Sequence, residues 1–209
     1  MAGAGQSQSG RNLMPVMSVV EGAFCRSSPW GSFARRRVLP WALDGFPLGG
    51  DVLEIGGGSG AMAEGVLRTF PDVRLTVTDV DGAMVAETRA RLARHPNAHA
   101  ERADVTALPY AAASFDVVTS YLMLHHILDW LDALGEAARV LRPGGMLVGY
   151  DLTDTRAARL VHRVDGSPHR IIASEELRAG LAVGGFTNIG VTAHFQAHLM
   201  RFRATKRAE

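Results

Sequence analysis

The run VLEIGGGSG, Val52 to Gly60, carries an apolar stretch straight into three glycines, a serine and a fourth glycine. An unbroken apolar stretch is what a buried central strand needs. Glycines just past its end let the backbone turn sharply and approach a ligand, and a helix starting there presents free N–H groups. The loop can therefore cradle a cofactor. Two acids stand at similar places downstream: Asp79 closes LTVTD, and Asp104 ends a third strand-like run ahead of Val105, Leu108 and Pro109. A carboxylate at a strand end can accept two hydrogen bonds from vicinal ribose hydroxyls, and an acid beside a backbone N–H can read an adenine edge.

Gly56, Gly58 and Ala61 also satisfy the looser dinucleotide fingerprint, so the loop and Asp79 by themselves serve NAD or S-adenosylmethionine equally. Asp104, which the nicotinamide reading leaves unexplained, favours S-adenosylmethionine. Further along, Tyr121, His125, His126, Tyr150 and Asp151 follow two more strand-like runs. Ligands gather beyond the carboxyl ends of strands in open α/β sheets, which places these residues where a substrate would lie. His125 or His126 can act as a general base near neutral pH, or can simply pack or cap at a helix start. Asp151 can take a proton or orient an amine, or be a solvated strand-end acid.

Holding such groups at one edge requires parallel strands, and the sequence alternates short apolar runs with longer helical patterns. Strands are expected at Asp51–Ile55, Arg74–Asp79, Ala98–Ala103, Phe115–Tyr121 and Met146–Tyr150, with helices near Ala61–Thr69, Asp81–Arg94, Leu128–Val140 and Ser174–Val183. In ARVLRPGG, Pro143 should stop a helix and Gly144-Gly145 should turn the chain into the fifth strand. Two last runs, Phe186–Ala193 and Phe195–Thr205, suggest an antiparallel hairpin at the sheet edge. The fold class is α/β: a doubly wound, Rossmann-like, mostly parallel seven-stranded sheet with a C-terminal antiparallel hairpin and helices on both faces.

Ahead of the sheet, residues 1–11 read as a flexible tail rich in Gly, Ser, Gln and Ala. Residues 12–48 read as two or three short helices interrupted by Pro15, Pro29 and Pro40, with Phe24, Trp30 and Phe33 as candidates for a lid. The stretch His162–Ile171 is a second lid candidate. The α/β domain itself is expected to run over residues 49–209.

The whole chain of 209 residues suits one domain, with 47% apolar and 21% charged residues, an ordinary globular balance. A net charge of +1 with dispersed basic residues argues against a nucleic-acid surface. Cys25 is the single cysteine, which fits a reducing compartment and offers no cysteine metal site. With neither a long apolar run nor a secretory leader, the expectation is a cytoplasmic protein without an integral membrane segment.

Five ordered segments resemble the class I methyltransferases, specifically the small-molecule enzymes that include those of ubiquinone and menaquinone biosynthesis: LEIGGGSG, TDVDGAM, ADVTALPY, SFDVVTSYLMLHH and EAARVLRPGGMLV. The resemblance covers roughly Leu53 to Lys206 and implies S-adenosylmethionine as cofactor. It implies that Gly56, Gly58 and Gly60 surround the methionine part, that Asp79 with Val80 holds the ribose, and that Asp104 and Val105 bind adenine. It implies too that Ser120, with Tyr121 beside it, faces the cofactor's amino group, while Glu54 braces the loop or contacts the methionine end indirectly. At Asp81 many relatives carry serine; aspartate caps a helix equally well.

Methyl transfer is an in-line displacement, so alignment and exclusion of water matter most. No metal is expected, because Leu152 follows Asp151 where metal-dependent catechol methyltransferases continue their ligand set. The acceptor should be a small or medium-sized organic molecule with an oxygen, nitrogen or carbon nucleophile, such as a quinone, a lipid head group or a secondary metabolite. Two rivals stand beside this reading: a nicotinamide oxidoreductase, and a silent methyltransferase fold acting as a binding protein. The sequence leaves open whether the chain forms a homodimer.

Overall fold

The computed structural model describes residues 28–155, 169–194 and 198–208. Five strands run parallel: β1 (Asp51–Ile55), β2 (Arg74–Asp79), β3 (Ala98–Arg102), β4 (Phe115–Tyr121) and β5 (Leu141–Leu152). The last two, β6 (Phe186–His194) and β7 (Leu199–Lys206), complete a seven-stranded sheet of order β3-β2-β1-β4-β5-β7-β6, with β7 antiparallel to both its neighbours, β5 and β6.

Strand residues alternate between the two faces, and in the central strands both sets are apolar, so each face needs its own cover. One face buries Leu53, Ile55, Val118 and Leu147 under helices Trp130–Val140 and Ser174–Val183. The other buries Val52, Val77, Val117 and Val148 under helices Ala61–Thr69 and Gly82–Leu92 and the chain before β1. Each fully buried aliphatic side chain contributes roughly 1.5–3 kcal/mol.

The described part of that preceding segment is three short helical elements that follow one another without a gap. α1 (Ser28–Phe33) passes through a π-helical turn (Ala34–Val38) into α2 (Leu39–Leu43). Pro40 has no N–H and its ring would clash with the carbonyl four residues back. The wide turn just before it, closed by the Leu39 N–H to the Ala34 carbonyl, carries the helix across Pro40 in its first turn. Ala34, Val38, Leu39 and Leu43 are core residues, while Phe33 is 41% exposed. Ion pairs from Arg35 to Glu64 (3.2 Å) and from Arg201 to Asp44 (2.9 Å) tie this segment to the sheet domain. The expected tail at 1–11, Pro15, Phe24 and most of the second lid stretch, 162–168, lie outside the described residues, as does the side chain of Trp30.

The remaining helices are α3 (Ala61–Thr69), α4 (Gly82–Leu92), α5 (Trp130–Val140) and α6 (Ser174–Val183). Several boundaries differ from expectation. α4 begins at Gly82 because Asp81 is its cap, its Oδ1 accepting the Ala83 N–H at 2.8 Å, and it ends at Leu92, short of Arg94. β3 ends at Arg102 rather than Ala103. α5 starts two residues late because Leu124–His126 forms a separate 3-10 turn. β5 starts at Leu141, not Met146: Leu141 pairs with Phe115 and Met146 with Val117, so Arg142-Pro143-Gly144-Gly145 bulges out of a strand already begun. α5 therefore ends before Pro143 is reached. β7 starts at Leu199 rather than Phe195. Among the described residues no helix is long and apolar enough to cross a membrane.

Candidate cofactor and active site

The loop between β1 and α3 is held from within. The Gly57 N–H reaches the Thr78 carbonyl (2.9 Å), and the Gly60 N–H reaches the Gly57 carbonyl (3.0 Å). From α4, the Thr88 hydroxyl donates to the Gly58 carbonyl (2.7 Å) and Arg91 Nε donates to the Ser59 carbonyl (2.7 Å). Gly56 has φ +63, and a Cβ there would fall 2.1 Å from Met123 Cγ; no side chain fits. Gly60, φ +76, starts α3 in the left-handed region. Neither Thr88 and Arg91 as braces nor Met123 as a wall over the loop was evident from sequence. The one available signal was their polar and apolar character at helical spacing and just past a strand.

Asp79, at the end of β2, binds the loop directly. Its Oδ2 accepts the Gly58 N–H (2.9 Å) and its Oδ1 the Asp81 N–H (2.9 Å). Burial raises its pKa, partly offset by these backbone donors. Two carboxylate oxygens offer about four acceptor sites, so room remains for a ligand. Val80 follows, half-buried, its carbonyl accepting from Arg102 Nε at 2.8 Å. After β3, Asp104 Oδ1 takes the Thr106 N–H (2.8 Å) and hydroxyl (2.7 Å), and Val105 is buried.

Where β1 and β4 end side by side, polar groups are sealed in. Glu54 is 1% exposed, and its Oε2 has no hydrogen-bond partner. Burial pushes its carboxyl up to about 8. Ser120, fully buried and beside Ile55 in the sheet, likewise has an unpartnered Oγ. Tyr121 is buried on the same face as Glu54, and burial first, then the nearby Glu54, hold its phenol well above the usual range. Its ring lies 5.9 Å from that of Tyr150, which in turn meets Trp41 edge-on at 6.0 Å.

β4 leaves the sheet through Leu122, a left-handed residue (φ +56) whose N–H bonds the Tyr150 carbonyl at 2.8 Å. The chain then coils so that His125 lies against the end of β5. His125 Nδ1 donates to Asp151 Oδ1 at 2.5 Å, and its backbone N–H donates to Oδ2 at 3.2 Å. The Leu152 N–H completes the set on Oδ1 at 2.6 Å. Asp151 is fully buried and not a solvated acid. His126 is half-buried, its ring 4.0 Å from that of His125. The Arg170 N–H donates to the His125 carbonyl (2.7 Å), bringing the chain ahead of α6 to the same place. Among the described residues no cluster of three or more His, Cys, Asp or Glu side chains could hold a metal.

Glycine loop, strand-end acids and histidine turn all lie at the carboxyl edge of one parallel sheet, and Glu54 and Ser120 offer buried acceptors and donors still unused. A nucleoside cofactor with a charged amino-acid end fits that set. The fold is Rossmann-like, with its candidate site at the carboxyl edge of the sheet.

Comparison with known proteins agrees. Residues 53–149 match the methyltransferase domain family. A malonyl-[acyl-carrier protein] O-methyltransferase of Hahella chejuensis is 34% identical over 135 residues, 61% of this chain and 47% of that protein. A ubiquinone/menaquinone biosynthesis C-methyltransferase of Paracoccus denitrificans is 38% identical over 105 residues, 48% of this chain and 41% of that protein. The chain thus spans less than half the length of these two relatives. Among solved structures, the chain in complex with the Haloferax volcanii Trm112 methyltransferase activator superposes with a TM-score of 0.78 at 16% identity, covering 92% of this chain and 99% of that one. Residues 53–149 thus resemble a methyltransferase domain, within a fold shared with a solved methyltransferase-complex structure.

Proposed function

We propose that the chain transfers a methyl group from S-adenosylmethionine to an oxygen, nitrogen or carbon atom of a small or medium-sized organic acceptor. The observation that carries this reading is the pair of sealed, unpartnered polar atoms, Glu54 Oε2 and Ser120 Oγ, beside the Gly56–Gly60 loop. Buried polar groups are seldom left unsatisfied, and those that are commonly await a ligand.

When bound, the cofactor supplies a methyl group already activated by a positively charged sulfur. In this reading Gly56, Gly58 and Gly60 enclose its methionine part, and Ser120 and Tyr121 face the amino group. Asp79 and Val80 hold the ribose, and Asp104 and Val105 the adenine. Asp79 does this while fixing the loop through the Gly58 N–H. Asp151 holds His125 with Nδ1 protonated, which directs its other ring nitrogen as an acceptor for the nucleophile's proton. His126, nearer the surface, is the alternative base. Two relatives are an O- and a C-methyltransferase, which supports an oxygen or carbon acceptor atom. A quinone, a lipid head group or a secondary metabolite offers such an atom.

The test is titration of the protein with S-adenosylmethionine and with NAD, followed by turnover of labelled cofactor against a metabolite extract. Tighter binding of NAD would sink the reading. Cofactor binding without any labelled product would favour a silent fold acting as a binding protein.

A further inference from the structure

Glu54 lies directly beneath the cofactor loop: a Cβ on Gly57 would stand 3.2 Å from its Oε1, and Oε2 faces no donor. The titratable group facing it is Tyr121 of β4, whose phenol pKa Glu54 helps to raise, with Tyr150 of β5 behind it at 5.9 Å between rings; Val77 of β2 is its apolar neighbour in the sheet. The arginines on that face, Arg35, Arg68 and Arg91, are all engaged by Glu64, at 3.2, 2.7 and 3.6 Å. Among the described residues no cation pairs with Glu54.

A lone carboxylate in so dry a place is costly, and such a group keeps its proton instead. We propose that Glu54 is a proton-coupled counter-ion for the cofactor, neutral in the free protein and ionised by the arriving ammonium of the methionine part, so that one proton leaves to solvent for each cofactor bound. This rests on the cofactor placement given above. The ammonium is the fitting trigger because that placement puts the methionine part in the loop that covers Glu54. The carboxyl's value of about 8 agrees with the neutral state of the free protein.

Binding isothermal calorimetry in buffers of differing ionisation enthalpy counts the protons released. About one proton is expected per S-adenosylmethionine near pH 6.5, and the same for S-adenosylhomocysteine, which keeps the ammonium but lacks the sulfonium. From about pH 5.5 to about pH 7.5 the apparent affinity should rise about a hundredfold, tenfold per unit for one proton. Glu54→Gln should bind with no proton release and a flat pH profile. Infrared difference spectra of the unaltered protein should lose a protonated-carboxyl band on binding, a readout that needs no variant.

Binding with no proton release would overturn the proposal, as would equal release by Glu54→Gln, which would point to Asp79. Release with S-adenosylmethionine alone would overturn the assignment to the ammonium. Absence of any binding would overturn the cofactor placement, and this proposal with it.

Discussion

Where the parallel strands begin, Asp51 accepts from Arg74 at 2.6 Å and from Arg142 at 3.0 Å, and Asp116 accepts the Asp51 N–H at 2.8 Å. Where the same strands end, Glu54 and Ser120 hold buried atoms with no partner, and Leu122 sits in the left-handed region. At the first edge charges meet their opposites near solvent, and the Arg74 and Arg142 hydrogen bonds outweigh burial to hold the Asp51 carboxyl below its usual range. At the second edge burial prevails and nothing compensates. One edge is built for the folded state alone; the other gives up stability that a ligand can restore.

The contrast can be broken in four ways, taken from the largest expected effect downward. Asp151→Ala strips the acceptor from three donors, the ring and backbone of His125 and the Leu152 N–H. Urea denaturation should show a loss of about 3–5 kcal/mol. A loss under about 1 kcal/mol would mean that this edge does not depend on its buried pair.

Glu54→Gln should act in the opposite direction. The folded protein holds the Glu54 proton up to about 8, against an ordinary 4.5. Its stability is therefore fully present below about pH 4.5 and is lost as pH rises towards about 8. The amide, which cannot ionise, should gain on the order of 4 kcal/mol near pH 8 and almost nothing near pH 4.5. Equal midpoints for the two proteins across that range would remove the cost assigned to this edge. Asp79→Ala should weaken S-adenosylmethionine binding by about 1.5–3 kcal/mol in calorimetric titration, through the lost ribose acceptor and the freed Gly58 N–H. At the opposite edge, Asp116→Ala removes the acceptor of the Asp51 N–H and an exposed ion pair with Arg142 (2.8 Å), and should cost about 1–2 kcal/mol of stability with cofactor affinity unchanged. A fall in affinity there would erase the distinction between the edges.

Much of this frame could be read without coordinates, because apolar runs, glycines and strand-end acids act locally. β1, β2 and β4 fall on their expected residues, and Asp81 caps its helix as expected. The misreadings share a cause: two local signals competing. Pro40 and Pro143 were read as stops, yet a π turn absorbs the first and a bulge within β5 the second. At the site, His125 and Asp151 were each named, but their pairing spans 26 residues and depends on the coil after Leu122. Nor does any pattern reveal that Glu54 lacks a partner, since that depends on where every neighbouring cation is spent.

The position of β7 bears on how the protein is made. It lies between β5 and β6 in the sheet although it follows both in the chain. On the ribosome, Phe186–His194 emerges with nothing to pair with, and the flank of β5 stays open, until Leu199–Lys206 has cleared the exit tunnel. Two exposed strand edges thus wait on one late segment. Nascent chains stalled before that segment should remain sensitive to protease and recruit chaperones, and should gain resistance in a single step once it is out.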